Sequence, residues 1–241
     1  MTQHLDRLVR KLESITRLTE DEKQAVLGLP ITVKELGADQ DIVLEGDRPS
    51  QSCLVLEGFL FLYKLLPDGG RQIMSFHVPG DIPDLQSLHL TVLDHGLTTA
   101  TQSSVGFIPH DALRAVCHAH PVLADKLWRD TLIDAAIFRE WIVNTGSREA
   151  PSRIAHIVCE VFLKLQAVGL TSGNSFEFPI TQAEIGDATG LSTVHVNRSI
   201  QKLRSDKLVS LEKGRCTIWD WDGLKRAAAF DPTYLHFAKA E

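Results

Sequence analysis

The chain has 241 residues, of which 44% are hydrophobic and 23% charged, and its formal net charge is −6. This length predicts two compact units that each bury a core, and the composition is ordinary for a globular protein. No apolar run approaches the roughly 18 residues that span a bilayer, and the charged N-terminus lacks the apolar core of a secretory signal. Four widely spaced cysteines fit a reducing compartment. We therefore expect a cytoplasmic protein without a membrane partner.

The first 30 residues are predicted to be helical. Apolar side chains recur at helical spacing from Leu5 to Ile15, and Thr19 with Glu22 forms a capping box before a second helix that stops at Pro30. From residue 31 to about residue 108 the pattern changes to short apolar runs separated by glycine-containing turns. Runs of this length with regular turns indicate an all-β roll or barrel.

His120-Pro121 opens a predicted long helix that reaches about Asn144 and is apolar on more than one side. Such a helix must be buried on several faces, so we predict that it packs on the β-domain and on a second copy of itself. The residues assigned to this dimer surface are Leu123, Leu127, Ile137 and Trp141. A central helix of a monomeric core is the alternative, since strict heptads are not sustained.

The most informative segment covers residues 181–203, which predict two helices around a tight turn. Thr181 and Glu184 form a capping box, Gly186 allows close helix approach, and Gly190 suits the left-handed residue of the turn. Ser192 caps the second helix, whose inward side carries an apolar series, namely Val196, Ile200 and Leu203. This spacing is typical of a helix-turn-helix.

The outward face of the second helix suits a DNA major groove. At 100° per residue this face contains the predicted base-reading residues, which are Val194, Asn197, Arg198 and Gln201. Arginine can bind guanine, asparagine or glutamine can bind adenine, and valine can contact a thymine methyl group. We assign Ser192, Thr193 and Lys202 to the DNA backbone.

Two apolar runs, 208–211 and 216–219, flank a glycine turn and predict a β-wing. Lys213 and Arg215 at its tip are assigned to phosphate contacts. The negative net charge does not oppose this, because phosphate attraction acts within roughly 8–10 Å and residues 192–207 carry four cations against one acidic residue. A helical hairpin used only for packing is the alternative, but caps, glycines, inward spacing and wing all agree.

The chain resembles the Crp/Fnr family of bacterial transcription regulators. The resemblance rests on the turns of the β-region and on the helix-turn-helix, namely Gly46-Asp47, Gly58, Asp68-Gly69-Gly70-Arg71, Pro79-Gly80-Asp81, Thr181, Glu184-Ile185-Gly186, Gly190, Ser192, Val196 and Arg198. It implies an α+β chain with three parts. These are an N-terminal double-stranded β-helix (a cyclic-nucleotide-binding-like jelly roll) with flanking helices over 1–120, a dimerisation helix over 121–146 and a winged helix-turn-helix over 147–241.

The resemblance also implies a homodimer that binds double-stranded DNA at a palindromic site, with half-sites about one helical turn apart. Arg198 matches the family arginine, which implies a guanine contact. Val194 stands where the family usually has a glutamate, so we expect an altered target sequence. RNA polymerase and a small-molecule effector stay open as further partners.

A candidate effector pocket is placed at Gly80, Asp81, Thr98 and Thr99, of which the first two approximate the family's Gly-Glu pair. Residues 72–113 contain no lysine or arginine, and a cyclic phosphate buried without a cation is costly. We therefore expect DNA binding without cyclic AMP. Because no cysteine precedes Cys53, we also expect no iron–sulfur cluster.

Six histidines between residues 77 and 120 raise the question of a metal or haem site, but no ligand spacing is recognisable, so we predict no metal and no cofactor. The effector stays unknown. Cys216 in the wing is a weaker candidate for a redox switch. Two alternatives to a DNA-binding regulator stay open, a metal-dependent enzyme of the cupin kind and a ligand-sensing β-roll that signals by protein contact. The enzyme needs a compact ligand triad, which the sequence does not offer, so we predict no enzyme.

Overall fold

This computed structural model describes residues 2–238. The chain begins with two helices, α1 (Thr2–Ile15) and α2 (Glu20–Leu27). The capping box of α2 is present: the Thr19 hydroxyl accepts a hydrogen bond from the Glu22 backbone N–H at 3.2 Å, and the Thr19 N–H donates to the Glu22 carboxylate at 2.7 Å. The pattern of apolar residues therefore predicted both helices correctly.

Seven strands form the predicted β-roll. They are β1 (Thr32–Leu36), β2 (Asp41–Val43), β3 (Gln51–Glu57), β4 (Leu60–Leu65), β5 (Arg71–His77), β6 (Gly96–Thr99) and β7 (Ser103–Pro109). One antiparallel sheet has the order β1-β7-β3 and the other has the order β2-β6-β4-β5. Side chains from both sheets and from the loop before β6 fill the interior of the roll, namely Val43, Cys53, Val55, Leu60, Leu62, Leu93, Leu97 and Val105.

Three helices follow the roll: α3 (His110–Ala119), α4 (Pro121–Ser147) and α5 (Ala150–Ala167). With 27 residues, α4 is about 40 Å long at 1.5 Å per residue. It continues to Ser147, so Gly146 lies in its last turn. The next helix begins after Glu149, with Pro151 in its first turn, where a missing N–H costs nothing.

The buried face of α4 corrects the predicted dimer surface. Leu123, Leu127, Ile137 and Trp141 are all buried within their own chain. The ring of Trp141 lies 5.8 Å from that of Phe76 in β5, and its indole N–H donates to Glu160 in α5. These four residues are therefore not available to a second copy. A helix that is apolar on two sides does not reveal from its sequence which side faces its own core.

The other face of α4 is exposed and carries a regular stripe of mainly apolar residues. The stripe consists of Trp128, Leu132, Ala135, Arg139 and Ile142, alternately four and three residues apart. Trp128 is 65% exposed, Leu132 52% and Ile142 70%. We call this set the α4 stripe. Its spacing is that of a coiled-coil seam.

The C-terminal region contains the two predicted helices and the wing, together with elements that the sequence did not predict. It comprises β8 (Thr171–Ser172), β9 (Ser175–Glu177), α6 (Gln182–Thr189), α7 (Thr193–Ser205), β10 (Val209–Glu212), β11 (Arg215–Ile218) and α8 (Trp221–Ala228). The β8–β9 hairpin extends the wing into a sheet with the order β10-β11-β9-β8. After α8, the Tyr234 hydroxyl donates a 2.6 Å hydrogen bond to Glu160, which fixes the segment around Tyr234 on α5.

Candidate nucleic-acid interface

The turn between α6 and α7 depends on two glycines. At Gly186 a Cβ atom would lie 2.6 Å from the Leu191 carbonyl oxygen, so any side chain there would displace the turn that leads into α7. Gly190 ends α6 with φ of 68°, a left-handed conformation that glycine adopts without strain. The Thr181–Glu184 capping box is present at the start of α6. The two glycines and the capping box from which the helix-turn-helix was predicted therefore determine its local geometry.

The inward face of α7 packs in the core. Val196 is 0% exposed, and Ile200 and Leu203 are also buried. Ser199, placed where an apolar residue would be usual, is buried as well. This packing fixes the rotation of α7 about its axis, and so determines which side chains face outward.

The outward face presents the four predicted base-reading residues. Val194, Asn197, Arg198 and Gln201 are all exposed, and Val194 is 58% exposed. Among residues 2–238, no hydrogen bond or ion pair engages the Arg198 guanidinium. The Asn197 amide makes only a long contact of 3.5 Å with Gln182 in α6. All four side chains are therefore available to base edges.

His195 is a further exposed side chain on this surface that sequence reasoning missed. It lies in the first turn of α7, where recognition helices contact bases. Its ring Nδ1 lies 3.3 Å from the Ser192 hydroxyl. Its position in the N-terminal turn was the signal that could have identified it.

At the start of α7, the backbone is better placed than the Ser192 side chain to bind a phosphate. The Ser192 hydroxyl already accepts a 3.4 Å hydrogen bond from the His195 N–H as the helix cap. The first backbone N–H groups of a helix have no partner within the helix, and they favour anions. Phosphate binding at Ser192 and Thr193 would therefore use the backbone N–H groups of this turn.

The cations near α7 fall into two classes. Lys202 pairs with Asp206 at 2.8 Å and Arg204 pairs with Glu212 at 3.1 Å, so both are partly neutralised. At the wing, Lys213 and Gly214 have φ of 51° and 75°, as in the two-residue turn that joins twisted antiparallel strands. Within the described part of the chain, neither Lys213 nor Arg215 has a partner, and both are exposed.

Comparison with known proteins agrees with this geometry. Residues 152–227 match the Crp-like helix-turn-helix domain, and residues 33–120 match the cyclic nucleotide-binding domain. The chain belongs to the Crp/Fnr family. This Crp/Fnr protein is therefore a transcription regulator with a DNA-binding helix-turn-helix. Such regulators bind DNA and function as dimers, and the family is not one of enzymes.

Three relatives illustrate the similarity. The chain is 28% identical to the nitrogen fixation regulation protein FixK of Bradyrhizobium diazoefficiens, over 75% of each chain. It is 24% identical to the transcriptional activator protein FnrL of Cereibacter sphaeroides, over 75% of this chain and 73% of the relative. The solved structure of FixK2 from Bradyrhizobium japonicum has the same fold, with a TM-score of 0.74 at 23% identity, and covers 84% of this chain and all of that one.

The effector residues predicted for this Crp/Fnr regulator are corrected by the structure. Asp81 is 4% exposed and pairs with Lys164 at 2.8 Å and Lys11 at 3.2 Å. A Cβ at Gly80 would lie 2.8 Å from the Arg7 carbonyl oxygen of α1. Thr98 is buried, and so is Thr99, whose hydroxyl donates to the Gly37 carbonyl at 2.6 Å. All four residues are committed to internal contacts and do not line an open pocket.

Asp81 belongs to a buried ion cluster that joins α1, the roll, α4 and α5. Lys11 also lies 3.5 Å from Asp130 in α4, and His77 lies 3.5 Å from Asp81. Burial, which outweighs the nearby carboxylate, lowers the pKa of His77 to about 4. Burial acts to raise the pKa of Asp81, but Lys11 and Lys164 hold it well below its usual range. Burial and then Asp130 raise the pKa of Asp134 to about 8.

The histidines and cysteines do not form a metal site in the described chain. His77, His95 and His110 are buried and contact Ser75, Gln86 and Ser87 respectively. Within residues 2–238, no group of three or more histidine, cysteine, aspartate or glutamate side chains is placed to hold a metal ion. Burial raises the pKa of Cys216 to about 12, so its thiol stays protonated, which disfavours a redox switch there.

One contact between the roll and the helix-turn-helix has no signal in the sequence. The Arg71 guanidinium at the start of β5 lies 3.1 Å from the Asp187 carboxylate in α6, and the Gln72 amide donates to the Asp187 carbonyl at 2.8 Å. Arg71 also stacks on the Phe61 ring at 4.6 Å. We call this contact the β5–α6 contact.

No helix of the described chain is long and apolar enough to cross a membrane.

Proposed function

We propose that this regulator binds a palindromic DNA site as a homodimer, with α7 in the major groove and the wing on the flanking phosphates. The observation that carries the proposal is Arg198, which has no partner among residues 2–238 and lies among exposed, uncharged side chains on α7. Val194, Asn197, Arg198 and Gln201 read bases. Ser192, Thr193, Lys213 and Arg215 contact the backbone, and Lys202 does so only by exchanging Asp206 for a phosphate.

Dimerisation is proposed to use the α4 stripe in place of the buried residues on the opposite face. Large apolar side chains exposed in a row on one helix mark an interaction surface. Arg139 is the one charged residue in the α4 stripe, and a polar residue in such a seam sets the alignment of the two helices at some cost in stability. A two-fold axis along the seam relates the two α7 helices and matches a palindrome.

DNA binding is proposed to need neither cyclic AMP nor an iron–sulfur cluster. Two arginines flank the segment without cations. Arg71 is paired with Asp187, and Arg114 lies on α3, which follows the roll. The roll interior is filled by its own apolar side chains. The proposal places the protein in the cytoplasm, with no catalytic role. Calorimetric titration with cyclic AMP and cyclic GMP tests it, and micromolar binding that also strengthens DNA binding would refute it.

Arg198→Ala tests the recognition face. Loss of a bidentate guanine contact should weaken binding to the preferred site by about 1–3 kcal/mol and relax the preference at one base pair. The measurement is selection of binding sites from random DNA, followed by titration. Arg226→Ala is the matched control, because Arg226 is an exposed arginine of α8 in the same domain and has no partner in the described chain. An unchanged base preference for Arg198→Ala would remove Arg198 from the reading face.

A further inference from the structure

A cavity of about 590 Å³ opens beside the roll, between the turn Leu85–Leu88, α3 and α4. Sites for small molecules typically have roughly 300–1,000 Å³. The cavity lies outside the recognition face of α7 and apart from the ion cluster around Asp81. Neither the proposed DNA interface nor the proposed dimer seam accounts for it.

The walls of the cavity are mainly apolar. Leu85, Leu88 and Leu127 line it with side chains that are at least 93% buried, and the exposed ring of Trp128 borders it. Cys117 also lines it, and burial raises the pKa of that thiol, so it adds uncharged surface. These walls suit an aliphatic or aromatic group, which gains free energy when it leaves water.

Three basic side chains line the cavity, namely Arg114, His89 and His118, together with the uncharged polar side chains of Gln86 and Thr131. Among the residues that the structure describes, no aspartate or glutamate lines it. One nitrogen of the Arg114 guanidinium donates to the Leu88 carbonyl at 2.7 Å, and another lies 3.6 Å from Asp111, which holds the group in place. A guanidinium has five N–H donors and keeps its charge, so Arg114 retains donors for a carboxylate. Residues 1–147 contain 13 basic and 20 acidic residues, so a lining with basic and uncharged side chains but no acidic one favours anions.

We propose that this cavity binds a small amphipathic anion, with a carboxylate at Arg114 and an apolar chain against Leu85, Leu88 and Leu127. Trp128 belongs both to the cavity and to the α4 stripe, so a bound ligand lies beside the proposed dimer seam. The site is therefore suited to report the presence of such an anion to the pairing of α4. Ligand binding itself does not depend on the proposed DNA contacts.

Decanoate is the probe, and decanol of equal chain length is the uncharged comparison. Titration of the full chain is followed by calorimetry and by tryptophan fluorescence. We expect saturable binding of one decanoate per chain, a fluorescence change, and weaker binding of decanol. Arg114→Gln should weaken decanoate by about tenfold or more and leave decanol unchanged, since it removes a charge-assisted pair. Arg48→Gln is the control, because Arg48 is exposed on the roll and does not line the cavity.

Trp128→Phe assigns the signal: the fluorescence change should disappear while the heat of decanoate binding persists. Equal affinities for decanoate and decanol would overturn the anion site, as would decanoate binding that is indifferent to Arg114→Gln. If a second copy of the chain fills the cavity instead, decanoate affinity will fall as the protein concentration passes through the dimerisation range. That result would also overturn the proposal. Circular dichroism of each variant separates a lost site from a lost fold.

Discussion

The buried ion cluster around Asp81 and the α7 surface use their charged residues in opposite ways. In that cluster Lys11, Asp81 and Lys164 are buried, and the Asp81 carboxylate lies 3.2 Å from the Lys11 ammonium and 2.8 Å from the Lys164 ammonium. Each of these charges therefore has a partner inside the chain. On α7 and the wing, Arg198 and Lys213 are exposed and have no partner in the described chain. Buried charges must be paired because an uncompensated charge is costly away from water. An exposed, unpaired cation costs little and stays free for a phosphate or a base.

The α4 helix contains both kinds of surface and gives the largest expected effect. Ile137→Asp places a charge at a core position that is 2% exposed and should prevent folding, because an uncompensated buried charge is costly. Leu132→Asp places the same charge on the exposed face and should leave the fold intact while it separates the dimer. Sedimentation and circular dichroism distinguish the two outcomes. A folded, dimeric Leu132→Asp protein would show that the α4 stripe is not the seam.

A substitution in the buried ion cluster around Asp81 should give the next largest effect. Asp81→Asn removes the carboxylate from between two buried lysines and should lower the free energy of unfolding by about 3–5 kcal/mol. Asp206→Asn breaks the exposed pair with Lys202 and should cost no more than about 1 kcal/mol. Urea unfolding at neutral pH measures both. Similar losses for the two variants would contradict the contrast between buried and exposed pairs.

The smallest expected effect is on the salt dependence of DNA binding, which should differ between cations with and without a partner in the described chain. Lys213→Ala should weaken binding to all sequences alike and reduce the salt slope by about one unit. Lys202→Ala should reduce the slope by less, since Lys202 must first give up Asp206. The slopes come from titrations of one duplex at several salt concentrations. A larger effect for Lys202 than for Lys213 would reverse these assignments.

How much the sequence could predict depended on the range of the interactions involved. The helix-turn-helix and wing were predictable because Thr181, Gly190 and Ser192 act on residues within one turn of themselves. The β8–β9 hairpin was missed because strands of two and three residues are too short to show alternation. The role of Asp81 was misassigned because its partners, Lys11 and Lys164, come from distant segments that no spacing connects.

The β5–α6 contact ties the position of the helix-turn-helix to the roll. Arg71 and Gln72 hold α6, and the close approach at Gly186 makes α6 and α7 a rigid pair. In a dimer joined along α4, the separation of the two recognition helices is then fixed by this contact as well as by the seam. In such a dimer the roll would help to determine the spacing between the two half-sites. A change in the β4–β5 hairpin would alter the preferred number of base pairs between half-sites and leave the sequence of each half-site unchanged.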